Sequence, residues 1–257
     1  MQKQNLFMAN WKMHKTVKEA LSFLEEFIPS VKKVNNREVG IAPSFVCLES
    51  VGRVLKNTNI KLGAQNAFYE MHGAFTGEIS PVMLKELSVD YVIIGHSERR
   101  KYFYETDEII NKKIKACLSA GLNVIVCIGE TLDERQAGKT FDVLKSQITF
   151  GLEGIDDPKA IVIAYEPVWA IGTGIVASEA QIREAHEFIR KKLTELYSDE
   201  ANSVRILYGG SVTPDNIYSI MNLPEVNGVL VGGASLDPLK FSKIIKYEEK
   251  NRRERNL

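Results

Sequence analysis

The sequence predicts an α/β fold built as a single (β/α)8 barrel, and three observations carry that expectation. Eight short runs rich in Val and Ile recur along the chain, and the segments between them show helical spacing. The length, 257 residues, suits eight βα units better than an open doubly wound sheet. With 44% hydrophobic residues the chain can bury a sizeable core, and no linker, low-complexity tract or short-period repeat divides it. One domain over residues 1–257 is expected, with 246–257 as a charged C-terminal tail.

In order, the runs are LFMAN from Leu6, VGIA from Val39, IKLGAQ from Ile60, YVIIG from Tyr91, NVIVCIG from Asn123, AIVIAYE from Ala160, VRILYGG from Val204 and GVLVGG from Gly228. They are apolar throughout rather than alternating, as parallel strands buried on both faces must be, although a buried helix can mimic so short a run. The intervening segments decide the matter. After the first run, Val17, Ala20, Leu21, Leu24, Phe27 and Ile28 share one helical face before Pro29 interrupts it. Segments 106–120 and 140–152 are also expected to be helical. After the sixth run, Ile182, Ala185, Ile189, Leu193 and Leu196 line one face of residues 178–197, and the sequence from Ser178 to Gln181 supplies a capping box.

Composition narrows the function. Thirty-three basic and 33 acidic residues cancel, so the chain lacks the basic footprint of a nucleic-acid binder and any polybasic membrane anchor. Cys47, Cys117 and Cys127 are an odd number at wide spacing without a C-x-x-C pair, as reduced thiols would be. No signal-peptide core stands out, and no stretch approaches the ~20 apolar residues of a membrane span, so a cytoplasmic protein is expected.

In a (β/α)8 barrel the active site lies at the C-terminal ends of the strands, so residues following each run should carry the chemistry. These are Asn10 and Lys12, Gln65 and Asn66, His96 to Arg100, Gly129 and Glu130, Glu166, Gly209 to Ser211, and Gly232 and Gly233. Gly-rich turns after the last two strands let backbone N–H groups approach an anion such as phosphate. A carboxylate, an imidazole and an ammonium suit proton abstraction next to a carbonyl, followed by stabilisation of an enediolate. His14, His72 and His186 form no metal-ligand spacing with any carboxylate, so neither metal nor cofactor is expected.

ANWKM at 9–13, GAFTGEIS at 73–80, IIGHSERR at 93–100, CIGE at 127–130, AYEPVWAIGTG at 164–174, LYGGSV at 207–212 and LVGGASL at 230–236 together resemble the triosephosphate isomerase family. The resemblance runs from residue 6 to about 245. It implies the TIM-barrel fold and a cofactor-independent interconversion of dihydroxyacetone phosphate and D-glyceraldehyde 3-phosphate through a cis-enediolate, in glycolysis and gluconeogenesis. Carried over by motif, Glu166 moves the proton between C1 and C2, and a neutral His96 polarises the carbonyl and shuttles protons between the oxygens. Lys12 stabilises the developing charge and helps bind substrate, Asn10 orients the oxygen, and Glu98 stands behind as a partner of the Lys12 region. The family is itself a standard example of such a carboxylate and histidine pair. Cys127 resembles the cysteine placed behind the base, where it reads as packing.

GTGIVA at 172–177 fits the dinucleotide fingerprint in letter, but PVWAI separates the strand end from the first glycine. A true fingerprint turns directly from strand into helix, and the acidic residue about 20 positions on, Glu195, falls inside a helix here. A lid explains more. Pro167, Val168 and Trp169 form a stiff first hinge, residues 170–174 the tip, and 175–177 a second hinge before the cap at Ser178. Closure excludes water and holds back elimination of phosphate from the enediolate. The resemblance implies that Gly172 N–H, Ser211, Gly232 and Gly233 hold the phosphate. It also implies that Ile171 and Leu230 clamp apolar surface around Glu166, and that Tyr208 bonds the closed lid. Many members carry a basic residue where this chain has Ile175.

Two rival functions remain at this point. Another phosphosugar isomerase or an aldolase shares the barrel, but a Schiff-base aldolase needs a lysine where Glu166 stands. A catalytically silent phosphosugar-binding barrel predicts a damaged constellation, yet Asn10, Lys12, His96 and Glu166 are all present. The loop at 65–80 carries Phe68, Tyr69, Met71 and Phe75, which a monomer would expose. In the family this loop inserts beside Lys12 and His96 of a second subunit, so a homodimer is expected, with Thr76 near the neighbouring active site.

Overall fold

The computed structural model describes residues 4–172 and 175–248. Its elements run β1 (Asn5–Asn10), α1 (Val17–Val31), β2 (Arg37–Ala42), α2 (Phe45–Leu55), β3 (Ile60–Ala64), α3 (Pro81–Glu86), β4 (Tyr91–Ile94), α4 (Ser97–Tyr102), α5 (Asp107–Ser119), β5 (Asn123–Ile128), α6 (Leu132–Gln136), α7 (Thr140–Gly151), β6 (Ile161–Tyr165), α8 (Glu179–Tyr197), β7 (Arg205–Tyr208), α9 (Ile217–Met221), β8 (Gly228–Val231) and α10 (Pro238–Ile245). The eight strands are parallel, follow one another in sequence order and close when β8 pairs with β1. Each expected strand run coincides with one of them, although β1 starts one residue and β2 two residues before its run, and the (β/α)8 barrel is the observed fold.

Alternation along each strand sorts side chains into two buried layers. Leu6, Met8, Ile93, Ile125, Cys127, Val162, Ala164, Leu207 and Leu230 form a compact inner cluster. Their neighbours Phe7, Ala9, Val92, Val126, Ile163, Ile206 and Val229 belong to the larger cluster under the helices. Burial on both faces is why the runs read as continuously apolar. Met8 fills the barrel interior because β2 and β3 offer glycine there: a Cβ on Gly40 would meet its sulfur, and one on Gly63 its methyl group.

The helices depart from expectation in detail. α1 does not stop at Pro29 but continues to Val31, which is buried. Proline removes one donor, and the carbonyl it leaves unpaired, on Glu25, lies on the exposed side. The buried stripe includes Phe23, which stacks edge-on to Trp11 at 4.9 Å, whereas Val17 is exposed. In α8 the Ser178 box forms with Gln181 as expected, but Leu196 is exposed and His186 is buried among the apolar positions.

The expected solvated tail begins later than residue 246. Tyr247 is buried, with the Arg37 guanidinium 4.0 Å from its ring centre and Arg37 Nη2 donating to its carbonyl at 2.9 Å. Residues 249–257 lie outside the described residues. At the N-terminal end of the barrel, Arg205 donates to Glu38 at 2.5 Å and to the Tyr91 hydroxyl at 2.6 Å, which in turn donates to Glu38. Burial pushes the Tyr91 hydroxyl up to about 12 against the pull of Arg205, so this closed triad is neutral in its tyrosine and carries no open chemistry.

Candidate active site

The first strand ends at Asn10 and delivers Lys12 through a strained turn. Lys12 has φ +52, a left-handed conformation that costs a non-glycine residue on the order of 1 kcal/mol or more. Side chains on both sides hold it there. Asn10 Oδ1 accepts the Lys12 N–H at 3.1 Å, and Gln65 Nε2 donates to the carbonyls of Lys12 and Ala42, each at 2.9 Å. Lys12 Nζ then reaches Glu98 Oε1 at 2.6 Å. With the glutamate 41% exposed, that pair adds little stability, and its effect is to aim the ammonium.

Gly95, φ +73, follows β4, and His96 caps the short helix after it. His96 Nδ1 accepts the Glu98 N–H at 3.2 Å, which puts the ring proton on Nε2. Nε2 lies 3.2 Å from Glu166 Oε1, and Glu166 Oε2 accepts the Ser97 N–H at 3.1 Å. The base candidate is only 2% exposed. Glycine makes the room it occupies, since a Cβ on Gly209 would stand 2.8 Å from Glu166 Cγ. Behind it, burial first and then the Glu166 carboxylate push the Cys127 thiol well above its ordinary range, which keeps it a neutral packing group.

These groups open on one cavity of about 480 Å³, a suitable size for a small ligand. Asn10, Lys12, His96, Glu98 and Glu166 line it together with Ser211, Leu230, Gly232, Gly233, Ile171 and Gly172. A short 3-10 turn, Gly233–Leu236, follows β8, and Gly233, Ala234 and Leu236 from it line the cavity. Of the expected site residues only Tyr208 lies outside this lining. It is fully buried beneath, its hydroxyl packed on Gly210 without a hydrogen-bond partner among the described residues. A groove of about 450 Å³ beside α2 is lined by charges that pair with one another, Arg53 with Glu49 and Lys61 with Asp90, and brings no such set together.

A family model described as triosephosphate isomerase matches residues 5–248. The triosephosphate isomerase of Thermodesulfovibrio yellowstonii is 67% identical over 244 residues, covering 95% of this chain and 99% of that protein. The chain belongs to the triosephosphate isomerase family. The Geobacter metallireducens triosephosphate isomerase is 53% identical over 246 residues, covering 95% and 98%. A crystal structure of triosephosphate isomerase from Bartonella henselae matches with a TM-score of 0.87 at 39% identity, covering 94% of this chain and 98% of that one.

In this member of the triosephosphate isomerase family, the segment after Glu166 is organised by Glu130, which the sequence placed among the strand-end residues without giving it a role. Glu130, at the end of β5, is fully buried and accepts from Trp169 Nε1 at 2.9 Å, Tyr165 Oη at 3.1 Å and Arg135 Nη1 at 2.9 Å. Its carbonyl accepts the Val168 N–H at 3.0 Å, and the Arg135 guanidinium lies 5.0 Å from the Trp169 ring centre. An acid following a strand run was the only signal available. The expected tip residues Thr173 and Gly174 lie outside the described residues, while Ile175 is 48% exposed and Ala177 is buried before the Ser178 cap. No helix among the described residues is long and apolar enough to cross a membrane.

The 65–80 loop differs from expectation. Phe68 stacks on Tyr69 at 4.1 Å and tilts against Phe75 at 4.7 Å, so Phe68, Tyr69 and Met71 are half-buried and Phe75 alone of the four is exposed. Met13, Val46, Met83, Phe103 and Tyr104 are apolar side chains more exposed than Phe75.

Proposed function

We propose that the chain catalyses aldose–ketose isomerisation of triose phosphates, interconverting dihydroxyacetone phosphate and D-glyceraldehyde 3-phosphate without a cofactor. What carries the assignment is the buried pair of Glu166 and His96, 3.2 Å apart with the imidazole proton on Nε2, opening on the same cavity as Lys12. Substrate enters with its carbonyl oxygen in place of Glu166 Oε1 as the partner of Nε2–H, and the carboxylate turns to the carbon. Glu166 takes the C1 proton, and the electron pair left behind forms the C1=C2 bond of the enediolate. His96 hands a proton to the C2 oxygen and takes one from the C1 oxygen, while Lys12 and Asn10 stabilise the charge. Return of the Glu166 proton to C2 completes the exchange.

Phosphate is held by backbone N–H groups at Gly232 and Gly233, by Ser211 and, as the lid closes, by Gly172. Ile171 and Leu230 then cover the carboxylate, and Tyr208 bonds the closed lid. Glu98 keeps Lys12 aimed. The step belongs to glycolysis and gluconeogenesis in the cytoplasm.

The protein works as a homodimer. Met13, Val46, Phe75, Met83, Phe103 and Tyr104 all project from the connections that follow β1 to β4, at the end of the barrel that bears the site. A second copy covers them, with Thr76 beside its active site.

Incubation with dihydroxyacetone phosphate in heavy water tests the reaction. Glyceraldehyde 3-phosphate and deuterium at C1 of the recovered ketose are expected, and the absence of both rejects the assignment. Sedimentation of a fully active monomer rejects the dimer.

A further inference from the structure

We propose that Gln147, on α7 outside the barrel wall, is a positioning residue that holds the peptide from which the anchor of the first lid hinge hangs. The inference rests on the isomerase and lid assignments above. Gln147 Oε1 accepts the Gly129 N–H at 2.8 Å, and Gln147 Nε2 donates to the Gly129 carbonyl at 3.3 Å. Both ends of one amide are engaged by one residue, so the side chain acts as an extra rung where β5 has already ended at Ile128.

The position of Gly129 leaves no slack on the inner side. A Cβ there would fall on the Glu166 carbonyl oxygen, so the backbone of residue 129 lies directly against the backbone of the base. On either side of that contact, Glu166 N–H donates to the Ile128 carbonyl at 2.7 Å and Val168 N–H to the Glu130 carbonyl at 3.0 Å. Residues 128–130 are therefore gripped from inside by the segment that carries the base and the hinge, and from outside by Gln147. The next side chain along is Glu130, whose carboxylate anchors the Trp169 indole at 2.9 Å.

Loosening the Gly129 peptide reaches both the base and the hinge through covalent neighbours. Gln147 itself does not line the cavity, so the groups that bind substrate stay in place when it is altered. Its loss is expected to lower kcat through misplacement of Glu166 and the lid, with KM nearly unchanged.

Two variants separate the contacts. Gln147→Met keeps length but loses both hydrogen bonds, leaving the buried Gly129 N–H unpaired, whereas Gln147→Glu keeps the acceptor for that N–H and loses only the donor. Isomerase kinetics and the indole N–H resonances are measured together. The chain has two tryptophans, and Trp11, which donates to the Ser235 carbonyl at 3.2 Å, is the internal control for Trp169. The expected result is a kcat lowered roughly tenfold or more in the Met variant and less in the Glu variant, with KM within about twofold. The Trp169 resonance shifts and the Trp11 resonance does not. A kcat within about twofold of the parent in both variants overturns the proposal, as does a loss of activity in which the two resonances move together or neither moves. If the Met variant does not fold, the Glu variant decides by the same criteria. An inactive parent protein counts against the isomerase assignment instead, and the Trp169 shift then decides whether Gln147 holds the hinge.

Discussion

Acid stability should depend on His186. Its imidazole is fully buried, Nδ1 lies 3.1 Å from the Glu225 carbonyl and Nε2 has no partner among the described residues. The Tyr165 ring meets it edge-on at 5.9 Å. Burial, aided by the Arg190 charge and opposed by the bond to Glu225, pushes it from an ordinary 6.5 down to about 4. A depressed value means that the unfolded chain takes up a proton the folded chain refuses. The stabilisation is therefore complete above pH 6.5 and is lost as pH falls towards 4. At ~1.4 kcal/mol per pH unit, the full loss is about 3 kcal/mol. The assay is urea unfolding of parent and His186→Gln from about pH 7 to about pH 4, at one protein concentration so that assembly does not enter. Glutamine keeps a donor for the Glu225 carbonyl and has no proton to gain. The parent should lose about 3 kcal/mol more than the variant across that window. Equal losses would show that the buried imidazole is not what resists acid.

Three further outcomes follow from the same contacts. Gly129→Ala should lower stability by at least about 2 kcal/mol in denaturant unfolding and lower kcat with it, because its methyl group must displace the Glu166 peptide. Unchanged midpoint and rate would refute that packing. Trp169→Phe removes the hydrogen bond to Glu130 and should cost about 1 kcal/mol while reducing kcat several-fold, read by thermal melting and steady-state kinetics. Phe75→Asp, at an exposed aromatic in the 65–80 loop, should raise the dimer dissociation constant by at least about tenfold in sedimentation equilibrium, and no change would place the interface elsewhere.

Much of the barrel was legible because its strands are buried on two faces along most of their length, with polar residues mainly near their ends, so Val and Ile runs mark them directly. Helix α1 was legible in its middle and not at its end, since nothing in the sequence says that the carbonyl freed by Pro29 faces water. The catalytic candidates could be found because each follows a strand run, and the structure brings Asn10, Lys12, His96 and Glu166 to one cavity. Glu130 and Gln147 were harder. Glu130 does its work as a buried acceptor, and Gln147 meets Gly129 from 18 positions away in sequence, a contact no local pattern encodes. The strain at Lys12 was hidden too, because it depends on Gln65 arriving from β3 to hold the Lys12 carbonyl. Tyr247 read as part of a charged tail because its partners, Phe7 and Arg37, lie at the other end of the chain.

The proton transfer assigned to Glu166 is tested most directly by Glu166→Gln, which keeps the shape and can still accept the Ser97 N–H. Isomerisation and exchange of the C1 proton with heavy water are followed together by proton NMR. Both should fall by about a thousandfold in a variant that remains folded. A variant that exchanges the C1 proton within about tenfold of the parent rate would contradict it, and would move the base to another residue of the cavity.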